Sequence, residues 1–227
     1  NKYKRYRICM FDYLKNSFLA KLFVYLKMII FKEQFSSSSN YWEERYKQNK
    51  TSGSGSYGDS AKFKSKILND FINENDIKTV LELGCGDGNQ LSLAKYPFYV
   101  GVDVSDSAIQ KCKTNFASDS NKIFYNLSEF KKIKNDYTFD LSLSLDVIYH
   151  LVEDDVFISH INELFSSSKY VIIFSTDFDD ILYQRLHVRN RKFTDFIKNN
   201  VKNYQLIKKI KNENKFSKVN FYIYKKV

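Results

Sequence analysis

The stretch Val80-Leu81-Glu82-Leu83-Gly84-Cys85-Gly86-Asp87-Gly88-Asn89 constrains this chain more than any other. Thr79 to Leu83 is short, apolar and β-branched at its start, the pattern of a strand covered on both faces. Glycines at alternate positions, Gly84, Gly86 and Gly88, end it. Glycine admits positive φ and lets a ligand approach the main chain more closely than a Cβ allows, so the turn reads as a cradle made of backbone. Asn89 to Lys95 is expected to begin the helix that follows, with its unpaired N–H groups facing the ligand. A plain structural turn between strand and helix is the alternative, because a single glycine turn is weak evidence.

Spacing separates two ligand classes. The dinucleotide fingerprint G-x-G-x-x-G needs a glycine where this chain has Asn89, and a pyrophosphate would be repelled by Glu82 and Asp87. An acid at position 82 suits a cationic ligand instead. Phe98-Tyr99-Val100-Gly101-Val102-Asp103 is a second apolar strand ending on an acid about twenty residues past the turn, where a carboxylate holds two ribose hydroxyls. E-L-G-C-G-D-G followed by G-V-D-V-S resembles the class I S-adenosylmethionine (SAM)-dependent methyltransferases, in element order from Ala61 to Val227. The resemblance implies an α/β fold: a Rossmann-like, seven-stranded, mostly parallel sheet with helices on both faces and an antiparallel last strand. It implies SAM as cofactor and no metal. Cofactor contacts are implied for Glu82, Gly84, Gly86, Asp87, Gly88, Asn89, Gln90, Asp103 and Val104. Lys122 to Leu127 is a third strand and turn, after which Asn126, Leu127 and Ser128 stand where the family carries an acid that reads adenine.

Composition adds bounds. At 227 residues the chain accommodates one catalytic domain with an appendage, here expected as an N-terminal helical arm and lid over residues 1–60 and a methyltransferase domain over 61–227. The net charge of +10 favours anionic partners, whether nucleic acid, phosphorylated sugars or a membrane face, without choosing among them. Cys9, Cys85 and Cys112 form no C-x-x-C pair, so neither a disulfide framework nor a zinc site is expected and a cytoplasmic setting fits. Residues 2–35 interleave aromatic and basic side chains at spacing compatible with an amphipathic helix, for docking on the domain, on a second subunit or peripherally on a membrane. Lysines at 15, 21, 27 and 32 interrupt any membrane span.

Y-W-E-x-R-Y at residues 41–46, before the loop S-G-S-G-S-Y-G at 52–58, resembles methyltransferases of surface-polysaccharide (capsule and lipopolysaccharide) gene clusters. In the family this segment folds over the cofactor, which makes Tyr46, Ser56, Tyr57 and Gly58 lid or cofactor contacts by resemblance. Phe139 to Asp146 is the fourth strand. It places Asp146, Tyr149 and His150 at the carboxyl edge of the sheet, where open α/β sheets bind ligands. His150 is the histidine expected at that edge, and a neutral imidazole can take a hydroxyl proton; a structural histidine bonding a carbonyl is the alternative. His160 is expected on the outside of a helix over 153–165. Arg185, Arg189 and Arg191, in the insert after the fifth strand, would clamp an acceptor phosphate or carboxylate, or form a solvated basic loop. The expected activity is O-methylation of a sugar or phosphorus-linked group. RNA methylation, or SAM binding without catalysis, are the rivals.

Overall fold

The computed structural model of the protein describes residues 35–166, 168–180 and 185–227, together with Leu26. The helix expected over residues 2–35, with its docking and membrane roles, lies outside the described residues, as do Tyr183 and Gln184 of the insert. Strands β1 (Thr79–Leu83), β2 (Phe98–Asp103), β3 (Lys122–Asn126), β4 (Phe139–Leu145), β5 (Ser168–Ser175), β6 (Tyr204–Ile210) and β7 (Asn220–Lys226) form one sheet in the order β3-β2-β1-β4-β5-β7-β6. Strands β1 to β5 pair in parallel, and β7 runs antiparallel between β5 and β6. The expected Rossmann-like sheet with an antiparallel last strand is the one observed.

Among the described residues six α-helices accompany it: α1 (Ser38–Lys47), α2 (Gly58–Glu74), α3 (Asp106–Asn115), α4 (Leu127–Ile133), α5 (Asp154–Leu164) and α6 (Phe193–Asn200). On one face, Leu68, Phe71 and Ile72 of α2 and Ile109 and Cys112 of α3 meet Val80, Leu141, Leu143 and Ile172. On the other, Phe130 of α4, Phe157 and Ile161 of α5 and Ile197 of α6 meet Leu81, Val100, Val171 and Ile173. Both faces are therefore buried, which is why the parallel strands read as apolar runs. Among the described residues no helix is long and apolar enough to cross a membrane.

Two connections differ from expectation. No α-helix follows the glycine turn; the chain makes only a 3-10 turn, Leu91–Leu93, before β2 begins at Phe98. The connection is too short for a helix, and Pro97 disfavours helical backbone at Tyr96. Face coverage comes instead from α2, which precedes β1. Conversely α4 was not foreseen. Its start is a capping box in which Asn126 accepts from the Ser128 N–H while Glu129 accepts from the Asn126 N–H, an N-x-x-E signal that is visible in the sequence.

Candidate active site

The sheet order reverses between β1 and β4, and the crevice outside the carboxyl ends of such strands is where open α/β sheets take ligands. A cavity of about 450 Å³ lies there, within the size range of small-molecule sites. Its walls combine the glycine turn, Asp103 and Val104 at the end of β2, Leu127 of α4, Asp146, Val147 and His150 after β4, and Trp42, Tyr46, Ser52 and Ser56 from a strap formed by residues 35–58.

The glycine turn lines this cavity at Gly84, Cys85 and Gly86. Gly84 and Gly86 hold φ of +91° and +58°, and a Cβ on Gly86 would run into Ser52 and Tyr46 of the strap. Asp103 is buried; its Oδ2 accepts from the Gly86 N–H (2.9 Å) and its Oδ1 from the Ser105 N–H (3.0 Å). Burial raises its pKa, opposed by those backbone bonds. Each carboxylate oxygen keeps a further lone pair for a ligand hydroxyl. Gln90 donates to Ala61 O and Ser65 Oγ, while its buried Oε1 has no partner and its side chain lines the cavity. Glu82 is buried against the Tyr99 hydroxyl (2.7 Å), and desolvation pushes its pKa up to about 7.

Other expected contacts go elsewhere. Asp87 faces the strap, its Oδ2 accepting from the Ser52 N–H (2.9 Å) and the Tyr57 hydroxyl (2.8 Å). Burial and that bond to Asp87 push the Tyr57 phenol up to about 12. Asn89 donates to Ser56 O (2.6 Å), and Gly88 packs against Phe116 and Cys112. Gly58 starts α2 with open space around it. Asn126 is spent capping α4 and donating to Val104 O (3.1 Å) and Asp106 (2.7 Å), and Ser128 takes part through that cap. Of the trio after β3, only Leu127 reaches the cavity wall. Tyr46 does line it, buried and bonded to Ser52 Oγ (2.9 Å). Cys85 is inert as a nucleophile: contact with Cys112 and burial hold its thiol well above the usual range.

At the far side, Asp146 adopts φ of +60°, a left-handed conformation that Asp tolerates better than most residues. Lys64 of α2, fully buried, places Nζ 2.6 Å from Asp146 Oδ2, and Tyr149 donates to Oδ1 (2.9 Å). Reading the sequence missed Lys64 because a lysine on a helix face is ordinarily solvated. His150 lies on the wall, its Nδ1 2.9 Å from His187 O, edge-on to Trp42 at 4.9 Å and parallel to His187 at 5.8 Å. A carbonyl accepts only, so Nδ1 carries the hydrogen and Nε2 keeps its lone pair. Desolvation lowers the His150 pKa to about 4, so the ring is neutral through the physiological range.

The structure corrects His160, expected outside: it lines the cavity, with Nε2 2.8 Å from buried Ser144 Oγ and a pKa lowered by burial to about 4. Serines in β4 make the room that brings an imidazole of α5 inward. Nor do Arg189 and Arg191 present an open clamp. Both pair with Asp154, at 2.9 and 3.0 Å, and both donate to Val152 O; Arg191 also donates to Leu151 O. Two arginine forks thus satisfy carbonyls and an acid at the start of α5. Arg185 stays exposed in the turn closed by Val188 N–H to Arg185 O (3.1 Å).

A methyltransferase domain profile matches residues 74–224. The chain belongs to that methyltransferase domain family. No protein of curated function matches the sequence. Among solved structures, the N-methyltransferase NodS from Bradyrhizobium japonicum WM9, in complex with S-adenosyl-L-homocysteine, is similar with a TM-score of 0.64 at 13% identity, covering 84% of this chain and 99% of NodS. An S-adenosylmethionine-dependent methyltransferase from Clostridium acetobutylicum ATCC 824 is similar at a TM-score of 0.55 and 16% identity, covering 71% and 91%. The small RNA methyltransferase HEN1 gives 0.57 at 17% identity, covering 73% of this chain and 25% of that one. These likenesses are of fold. The protein is a SAM-dependent methyltransferase, with SAM as its cofactor. The cavity fits that cofactor: Asp103 has lone pairs for a ribose, Gln90 Oε1 is an unused buried acceptor for an ammonium group, and acids at 82 and 103 favour a cation. Among the described residues no cluster of His, Cys, Asp and Glu could hold a metal.

Proposed function

We propose that this cytoplasmic methyltransferase O-methylates a sugar, or a phosphorus-linked oxygen carried by one, in a surface-polysaccharide precursor. The observation that carries the reading is His150, a neutral imidazole on the cavity wall whose Nδ1 is fixed by the His187 carbonyl. SAM supplies a methyl group already bonded to a positively charged sulfur. The chain therefore needs to place an acceptor oxygen in line and receive its proton. His150 Nε2 receives it. Asp103 holds the ribose hydroxyls, the 84–86 backbone and Gln90 hold the methionine end, and Val104 and Leu127 flank the adenine. Lys64 pins Asp146 and so fixes the start of the loop that carries His150. The polysaccharide acceptor is supported by the resemblance of residues 41–46 and 52–58 to enzymes of that setting.

The test is label transfer from methyl-labelled SAM into two acceptor pools, glycosyl phosphates with lipid-linked saccharides and bulk small RNA, with an Asp103→Ala control. Label in the first pool, lost in the control, is expected; label confined to RNA would replace the reading. The RNA alternative has its own support in the net charge of +10 and the similarity in fold to an enzyme named for small RNA. Transfer that falls steeply with salt would mark it.

A further inference from the structure

Four rings from three parts of the chain, His150 among them, converge at this end of the cavity. Tyr41 of α1 stacks on His187 at 4.2 Å and 8°, His187 lies parallel to His150 at 5.8 Å, and Trp42 meets His150 edge-on. Two guanidinium groups lie by this cluster. Arg45 sits 5.7 Å over the Trp42 ring and donates only its Nε, to Thr51 O (2.7 Å). Arg185 is exposed two residues from His187. Both charges act on His187, and that of Arg45 reaches His150. Among the described residues neither has a carboxylate partner, whereas Arg189 and Arg191 are each paired with Asp154. Two unneutralised cations around one buried-edge aromatic cluster form an anion site in need of an anion.

We infer that Arg45, beside Trp42, and Arg185, two residues from His187, hold the phosphate of a phosphorylated sugar and so present its hydroxyl to His150. The inference rests on the methyl-transfer reading above and deepens it by naming the group that is recognised. Geometry favours a small glycosyl phosphate over RNA. His187 is stacked on Tyr41 at 4.2 Å, so the face that Tyr41 covers is closed to a nucleobase. Two cations beside one aromatic cluster also match a single phosphate rather than a backbone track. Phosphate binding would, in addition, neutralise the field that Arg45 and Arg185 impose on the two imidazoles.

The experiment uses the full chain saturated with S-adenosylhomocysteine, followed by NMR of the histidine rings and by calorimetry. The probes are glucose 1-phosphate, glucose and a single-stranded oligoribonucleotide. Glucose 1-phosphate is expected to shift the His187 and His150 signals and glucose to leave them in place. Arg185→Met, at an exposed position where folding is not at stake, and Arg45→Met should each weaken glucose 1-phosphate at least tenfold while S-adenosylhomocysteine affinity holds. Equal binding of glucose and glucose 1-phosphate, or undiminished binding in both variants, overturns the subsite and leaves the methyl-transfer reading standing. Tighter, steeply salt-dependent binding of the oligoribonucleotide, abolished in the same variants, overturns it in favour of RNA. Loss of S-adenosylhomocysteine binding in the wild-type chain would instead mark failure of the underlying reading.

Discussion

Replacing Lys64 by Met tests the least solvated charge in the structure. Met keeps most of the aliphatic stem, so the change removes the ammonium with little loss of volume. Nζ lies 2.6 Å from Asp146 Oδ2 at zero side-chain exposure, and 5.4 Å from the centre of the Phe174 ring. Without it Asp146 retains one side-chain donor, the Tyr149 hydroxyl, and its own N–H remains committed to Phe174 O. Removing one member of a buried pair costs about 3–5 kcal/mol, since the other charge stays desolvated. That is a large part of the stability of about 5–15 kcal/mol typical of a domain. Urea unfolding followed by circular dichroism should show a lower midpoint at unchanged slope. The cost comes from the orphaned carboxylate, so Lys64→Met with Asp146→Asn should recover at least half of it. Asn carries no charge and accepts the left-handed backbone at that position. A single variant within about 1 kcal/mol of wild type, or a double variant no better than the single, would refute the reasoning.

Asp103→Ala should weaken SAM by about 2–4 kcal/mol in calorimetry, from two lost bonds to a charged acceptor; unchanged affinity would remove the ribose assignment. His150→Ala should leave SAM affinity intact and lower kcat by roughly 10²–10⁴, and the acid limb of wild-type activity should fall near pH 4, not 6.5, because burial lowers that pKa to about 4; turnover within about threefold of wild type sinks the base. His150 and His160 both have folded pKa values lowered from 6.5 to about 4, so the unfolded chain binds more protons in that window and each histidine loses about 3 kcal/mol of stability as pH falls through it. Glu82, raised from 4.5 to about 7, has the opposite sign, its contribution being lost as pH rises. His160→Gln should therefore flatten the acid side of a denaturation profile, and an unchanged profile would show that His160 is solvated.

What the sequence disclosed was whatever depends on backbone. Gly84, Gly86 and the acid ending β2 could be picked out because glycines at one strand end and an acid at the next are a pattern written locally. The apolar runs of β1 and β2 marked strands covered on both faces, while the mostly parallel sheet itself followed from the family resemblance. Errors arose where a side chain's duty is decided by a distant partner. Arg189 and Arg191 had the chemistry of an anion clamp, but Asp154 and the carbonyls of Leu151 and Val152, brought close by the fold, claim them. Asn126 suited an adenine amine until a seven-residue helix that had not been expected took it as a cap. His160 looked external because it was judged by helix spacing alone, whereas Ser144 beneath it leaves a space that a larger strand residue would fill.

The strap shows the same limit in its strongest form. Its anchors pair residues far apart in sequence: the Ser38 N–H with Glu153 Oε1 at 2.8 Å across 115 residues, and Glu43 with the hydroxyls of Ser105 (2.6 Å) and Ser107 (2.9 Å) across more than 60. Asp87, which looked like a cofactor ligand, is the third anchor point, through Ser52 and Tyr57. These contacts are polar, and of α1 only Ser38 and Tyr46 are buried. A segment held this way contributes little apolar burial of its own, so no hydrophobic period announces where it docks. Its position follows instead from acids and hydroxyls that the finished sheet brings to one edge. Because Trp42 from the strap and His187 from the insert both contact His150 there, the His150 end of the cavity exists only once elements about 145 residues apart in the chain have met. Gly84, Gly86 and Asp103 sit instead at the ends of two adjacent strands, and that difference in contact distance is why their pattern was readable and the surroundings of His150 were not.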